Sequence, residues 1–313
     1  REEGSRLESS LCTICEELNH GAFHCLTNSP MFASRHHCSS KMLLNDSGNS
    51  VQDISPSTST SQPATAASRR RARLAYFVSH PIQYQAPLLR RIAQEPDIDL
   101  KVFFSSDQSV RGYHDPGFGV HVEWDVPLLD GYESEFLPRI GDGNKLGFAR
   151  PLNWGVFNRL RKGRFDAVWV FGYSRLVCLQ AMMAAKLLGI PVILRVESNL
   201  RFERSASKLA VKRLFFNLLK LAVDCVVPIG KLNREYWQHY FGEGFPAFST
   251  PYAVDNEFFQ CKSTEAALHR EDFRRALDLK PGLPVILYVS KLQTRKRCID
   301  LVDAFLRLAS DSG

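Results

Sequence analysis

The sequence predicts an α/β protein built on a doubly wound parallel sheet, followed by the opening of a second unit of the same kind. From residue 74 onward, short β-branched or aromatic runs alternate with longer stretches of helical period, the pattern of βαβ units around a parallel sheet. Turn residues punctuate the runs, as at Gly189 and Pro191 after a helical stretch. A turn-rich break, Lys280-Pro281-Gly282-Leu283-Pro284, then precedes a fresh strand-like run.

Residues 74–78 read as the first strand. Residues 84–94 follow as a helix with Leu88, Leu89 and Ile92 on one buried face, and 100–104 is the second strand. Residues 106–135 carry Gly112, Tyr113, Pro116, Gly117, Phe118, Gly119, Trp124 and Tyr132, and are too long for an ordinary connection, so a functional loop is expected. Strands at 167–171, 192–196 and 225–229 are separated by helices at 174–188 and 208–221. The second of these helices sets Val211, Phe215, Leu218 and Ala222 on one side, with Lys208, Lys212, Arg213 and Lys220 among the remainder. A basic amphipathic helix can lie on a membrane, but packing on the sheet with snorkelling lysines is the preferred reading. After a helix at 269–277 and the break, a strand at 285–289 and a helix at 298–309 make one βα unit, which cannot bury its own apolar face and needs more chain. The expected domains are a disordered low-complexity leader over 1–73, a first domain over 74–280, and the first βα unit of a truncated second domain over 281–313.

The chain has 313 residues, 44% apolar and 23% charged, enough for one large domain and part of another. A net charge of +7 and an isoelectric point near 9.0 fit phosphate-bearing ligands, an anionic membrane surface or nucleic acid, and charge alone does not choose among them. Of the eight cysteines, Cys178, Cys225, Cys261 and Cys298 are spread singly through the compact part, which suggests no disulfide framework and favours a reducing, cytoplasmic compartment. The most apolar stretch, 177–194, holds Gln180, Lys186, Gly189 and Pro191, so no membrane-spanning helix is expected. In the leader, residues 50–68 are rich in Ser, Thr, Pro and Ala, and disorder is expected. Arg69, Arg70, Arg71 and Arg73 read as a solvated flank. Cys12 and Cys15 have zinc-ligand spacing, but Cys25, Cys38 and the histidines at 20, 24, 36 and 37 follow no finger pattern, so no metal site is assigned.

Four segments carry chemistry. Ser79-His80-Pro81-Ile82-Gln83-Tyr84-Gln85 joins the first strand to the first helix, at the carboxyl-end crevice where open α/β sheets bind ligands. Its side chains could read sugar hydroxyls, or His80-Pro81 could merely shape the turn. Phe171-Gly172-Tyr173-Ser174 and Arg195-Val196-Glu197-Ser198-Asn199 end two further strands and should converge there. Glu197 could bind hydroxyls or act as a base; pairing with Arg195, Arg201 or Arg204 is its alternative fate. Ser290-Lys291-Leu292-Gln293-Thr294-Arg295-Lys296-Arg297 sets four cations before a helix, which suits a nucleotide diphosphate. Neither a Walker A motif nor a strand followed by G-x-G-x-x-G occurs, which argues against a nucleotide kinase or an NAD-dependent dehydrogenase; Gly141-x-Gly143 does not follow a strand. Asp97-Ile98-Asp99 reads as a surface turn.

In this order, residues 74–309 resemble family 4 glycosyltransferases of the GT-B fold. The resemblance is carried by 77–87, Gly189-Ile-Pro-Val-Ile-Leu-Arg-Val-Glu-Ser-Asn199, Asn233-Arg-Glu-Tyr236, Pro251-Tyr-Ala-Val-Asp-Asn-Glu-Phe-Phe259 and Tyr288-Val-Ser-Lys-Leu-Gln-Thr-Arg-Lys-Arg297. It implies two Rossmann-like domains and retaining transfer of a sugar from a nucleotide diphosphate sugar, without an obligatory metal or other cofactor. Lys291 and Lys296 would hold the donor diphosphate. His80, Gln83, Gln85 and Glu197 would line the side of a saccharide or lipid-linked acceptor. The family's paired glutamates should lie beyond Gly313, so the fragment is expected to be inactive alone. Phe171, Val196 and Ser290 depart from the family pattern, which keeps a non-catalytic sugar- or nucleotide-binding module as the alternative. Nucleic acid is not expected as a partner, and a peripheral membrane contact is left open.

Overall fold

The computed structural model describes residues 70–115, 118–144, 146–201 and 206–311. The chain runs β1 (Ala72–Val78), α1 (Ala86–Ala93), β2 (Ile98–Phe104), β3 (Tyr113–Asp115), β4 (Val120–Val122), β5 (Glu133–Phe136), β6 (Arg139–Ile140), β7 (Leu152–Asn153), α2 (Val156–Gly163), β8 (Ala167–Phe171), α3 (Leu176–Leu187), β9 (Val192–Arg195), α4 (Ala206–Lys220), β10 (Cys225–Val226), α5 (Lys231–Phe241), α6 (Asn256–Ala267), α7 (Arg270–Ala276) and α8 (Cys298–Asp311). The leader's cysteines and histidines, and the disorder expected at 50–68, lie outside the described residues.

Six strands form one wholly parallel sheet in the order β10-β9-β8-β1-β2-β5. Numbered by chain order within that sheet, the strands read 6-5-4-1-2-3, a Rossmann-like doubly wound arrangement whose direction reverses between β1 and β8. Alternation along β1 feeds two cores. Leu74, Tyr76 and Val78 meet Leu89 and Ile92 of α1, whereas Ala75 and Phe77 share a core with residues of α2, α3, α4 and α5. Each such large side chain contributes ~1.5–3 kcal/mol on full burial. On the second face, the Phe216 ring lies within ring-contact distance of Tyr173, Tyr236, Trp237, Tyr240 and Phe241, and the Tyr173 and Tyr236 hydroxyls bond at 2.8 Å. Cys178 and Cys225 are buried and form no disulfide, and burial pushes the Cys178 thiol up to about 12, so it behaves as an inert small apolar group.

Several expectations are corrected. The region 106–135 is not one loop, because it holds the β3–β4 hairpin and the sheet strand β5. β5 is masked in the sequence by its glutamates, yet Glu133 stands opposite Lys101 in the ladder, and Lys101 pairs with Glu133 at 2.7 Å and Glu135 at 3.5 Å. Helices α2, α5 and α6 add to those expected; α6 starts where the Asp255 carboxylate accepts a hydrogen bond from the Phe258 N–H at 2.9 Å. In the arginine run Arg70 and Arg71 are exposed as a solvated flank would be, whereas Arg73 belongs to the sheet. Arg73 lies inside β1 with its Nε on Asp99 at 2.9 Å, and Arg70 pairs with Asp166. Asp97-Ile98-Asp99 is accordingly no surface turn, since Ile98 opens β2 and is fully buried.

Two corrections bear on function. In α4 the buried positions are Phe216 and Leu219, with Ala222 just beyond the helix, and not the set with Val211 and Leu218, which are outward-facing. The aromatic layer of α5 captures Phe216 and draws Lys212 in with it, the ammonium lying 4.6 and 4.5 Å from the Tyr236 and Tyr240 ring centres. Further along, residues 285–289 form no strand, and Val285, Ile286, Leu287 and Val289 are exposed. A strand needs a neighbour to complete its hydrogen bonds, and this segment pairs with no other described residues. Helix α8, whose hydrogen bonds are internal, forms regardless.

Candidate functional site

The reversal between β1 and β8 opens a crevice beyond their carboxyl ends, and the polar segments after β1, β8 and β9 all emerge at that edge of the sheet. After β8 the chain turns through Gly172 at φ +91°, a conformation that a side chain resists. After β1, the half-buried His80 takes a hydrogen bond of 2.9 Å between its Nδ1 and Ser79 Oγ. Burial, helped by the positive charge of Arg175, pulls the His80 imidazole down to about 4, so near neutral pH the ring is uncharged and suited to hydrogen bonding with a hydroxyl group.

Hydrogen bonds tie Gln85 to the core and Tyr84 to the rim of the crevice. The Tyr76 hydroxyl, fully buried, donates to Gln85 Oε1 at 2.9 Å. The Tyr84 hydroxyl donates to Glu197 Oε1 at 3.0 Å, and the Glu197 carboxylate also acts on the Tyr252 phenol. Burial, then the Glu197 carboxylate, raises both the Tyr84 and the Tyr252 phenol above the ordinary tyrosine value. The Tyr84 and Tyr252 rings meet edge to face at 5.8 Å, and the Arg195 guanidinium sits 5.4 Å from the Tyr252 ring centre. Arg195 is only 3% exposed, and its Nε has no hydrogen-bond partner among the described residues.

His80 and Gln83 lie on the segment after β1 and Glu197 on the segment after β9, with Glu197 exposed and Gln83 half-buried. Glu197 accepts from the Tyr84 hydroxyl, and no ion pair of Glu197 occurs among the described residues. Gln85 does not line the cleft: it is buried and accepts a hydrogen bond from the Tyr76 hydroxyl. Tyr84, Tyr252 and Arg195 lay within the quoted segments, but only contact revealed their convergence on Glu197.

The cationic segment reaches the first domain through one strong contact. Lys291 Nζ lies 2.8 and 2.7 Å from the two carboxylate oxygens of Asp115 and 4.9 Å from the Phe118 ring centre. Asp115 ends β3, in the same insertion whose Ser109 hydroxyl donates to the Pro81 carbonyl at 2.5 Å. One insertion therefore touches both the His80-Pro81 turn and Lys291. Asp115 carried no signal in the sequence, lying in an insertion whose polar residues look alike. Lys296 lies in the 3-10 turn Thr294–Lys296 before α8 with its side chain exposed, while Arg297 pairs with Asp300 and Arg295 bonds to Gln293. Among the described residues no cluster of His, Cys, Asp or Glu could hold a metal ion, and no helix is long and apolar enough to cross a membrane.

No family model matches the chain, and no curated protein matches it. Solved structures similar to parts of it include a UDP-N-acetylglucosamine 2-epimerase from Rickettsia bellii, at 15% identity and a TM-score of 0.38 over 68% of this chain and 52% of that one. Another is Anabaena HepE in complex with UDP-glucose, at 13% identity and a TM-score of 0.39 over 58% of this chain and 44% of that one. A third is Acinetobacter baumannii MurG, at 15% identity and a TM-score of 0.29 over 51% and 42%. The chain spans about half the length of the structures it matches.

Proposed function

We propose that this chain is the acceptor-side domain of a retaining GT-B glycosyltransferase of family 4, together with the opening of its donor-side domain. The complete enzyme would transfer a hexosyl group from a nucleotide diphosphate sugar to a saccharide or lipid-linked acceptor, in the cytoplasm and without an obligatory metal. The observation that carries this reading is the meeting of two chemistries through one insertion. A crevice at the sheet's switch point presents neutral His80, Gln83 and Glu197, while Lys291, from a cation-rich segment, docks on the insertion that also braces the His80-Pro81 turn.

Hydroxyl-reading groups on one side and phosphate-neutralising ammonium groups on the other are what glycosyl transfer needs. The acceptor hydroxyl is oriented by hydrogen bonds, and the leaving diphosphate gains charge as the glycosidic bond opens, so cations placed beside it lower the barrier. Glu197, bonded to Tyr84, would accept hydrogen bonds from acceptor hydroxyls. The exposed apolar residues of 285–289 and of α8 are the surface on which further strands of a donor domain would pack.

The reading is tested by calorimetric titration of the chain with UDP, GDP, ADP and inorganic pyrophosphate. Lys291→Ala and Lys296→Ala should each weaken binding roughly ten- to a hundredfold, the worth of a charge-assisted hydrogen bond. Variants that bind as tightly as the parent would remove the donor site from this segment.

A further inference from the structure

We infer that the outward face of α4 is a docking surface for an anionic lipid bilayer. Val211, Leu214, Leu218 and Leu221 recur at spacings of three and four residues and stand 70%, 63%, 61% and 74% exposed, forming one aliphatic stripe on the side of the helix turned away from the sheet. The inward side is fully engaged. Phe216 and Leu219 fill the core, and Lys212 is spent on the aromatic rings of α5. The stripe is therefore not a core face that has slipped, but a second apolar face on an already packed helix.

The charges around it select the occupant. Lys208 and Arg213 are exposed on the same helix, the Lys220 ammonium is engaged by the Phe241 carbonyl and the Phe245 ring, and no Asp or Glu occurs between residues 204 and 223. Aliphatic side chains flanked by cations with no carboxylate match an interface of acyl chains beneath anionic headgroups, where apolar insertion and electrostatic attraction add. An isolated exposed leucine would carry no such meaning; four on one stripe of a helix without acids do. This surface stands apart from the transferase reading, because lipid binding needs neither donor nor acceptor.

Sedimentation of the 313-residue chain with vesicles provides the test. The parent should bind vesicles of phosphatidylcholine mixed with phosphatidylglycerol and bind phosphatidylcholine vesicles far more weakly, with affinity falling as salt rises. The double variant L214E/L218E should bind the anionic vesicles on the order of a hundredfold more weakly, as expected from withdrawing two leucines from the bilayer and adding like charge. K208E/R213E, which keeps the leucines, should lose the preference for anionic lipid. Leu187→Glu, an exposed leucine on α3, should bind as the parent does, and circular dichroism should show all variants folded. The inference is overturned if the parent ignores anionic vesicles, if it binds both vesicle types equally, or if folded L214E/L218E binds as well as the parent. It is also overturned if light scattering shows a dimer of the parent that L214E/L218E dissolves, since a second copy would then be the occupant.

Discussion

The contact between Lys291 and Asp115 is the strongest link between the cationic segment and the first domain, and its strength can be worked from the structure. Unit charges 2.7 Å apart attract by about 6 kcal/mol at an effective dielectric of 20, but the Asp115 side chain is only 9% exposed and its desolvation cancels much of this. Fully exposed pairs are worth ~0.2–1 kcal/mol, and truncating one partner of a buried pair costs ~3–5 kcal/mol. With Lys291 at 31% exposure the pair falls between these limits, at about 2 kcal/mol. Because residues 285–289 have no ladder, the loss should appear as local opening and not as global unfolding, and hydrogen exchange of that segment is the suitable assay. Asp115→Asn should speed exchange across 285–297 by roughly thirtyfold, the equivalent of 2 kcal/mol. Lys291→Met should do at least as much, since it strands the more buried charge. In the double variant the two effects should not add. Exchange unchanged by Asp115→Asn, or strictly additive effects, would refute the assignment of this pair as the tie.

His80 gives a pH signature. Its folded value, lowered to about 4, lies below the ordinary value near 6.5, so the unfolded chain binds more protons between those limits and stability falls as pH drops through that window. The full effect is about 3 kcal/mol, so in urea melts at pH 7 and pH 4.5 His80→Gln should show a shallower loss than the parent, and parallel losses would refute the buried neutral imidazole. At the other end of the crevice, Glu197→Gln removes the carboxylate that raises Tyr84 and Tyr252, so two phenols should ionise at lower pH in an ultraviolet titration. An unchanged titration would refute that influence.

The fold was legible because its central strands are buried on both faces and read as unbroken apolar runs. Residues 74–78, 167–171 and 192–195 all stand in the sheet where periodicity and turn residues put them. What escaped reading was set by tertiary partners. β5 looks polar because its glutamates meet Lys101 on the neighbouring strand, a pairing invisible along the chain. α4 was placed on the right segment with the wrong face inward: its apolar residues surround most of the helix, so period alone cannot select a side, and the aromatic layer of α5 decides it. Strand 285–289 failed for the opposite reason, since an apolar run specifies a strand only where another strand is beside it. In the crevice the motif positions foretold His80 and Glu197. The tyrosines that Glu197 acts on come from segments more than fifty residues to either side, and Gln85 was misread because a polar side chain beside a cleft can equally turn inward to a buried phenol.

The two halves of the candidate site are held with very different firmness, and that difference has a functional consequence. His80 and Glu197 follow strands locked into a six-stranded sheet, and the Tyr76–Gln85 bond ties the helix start beside His80 to the core. The cationic segment follows a ladderless stretch and reaches the same body through Lys291. Asp115 already supplies Lys291 with the paired oxygens that a diphosphate would offer, so an incoming phosphate must exchange with the carboxylate and does not meet a bare ammonium. On the proposed reading, affinity for phosphate would be lowered by whatever the pair is worth, and a phosphate captured by Lys291 would weaken the tie between segment and sheet. By linkage, Asp115 and such a donor would oppose one another at Lys291 with equal force in both directions. A device of this kind would let donor arrival and movement of the cationic segment occur as one event, while the acceptor crevice keeps its shape.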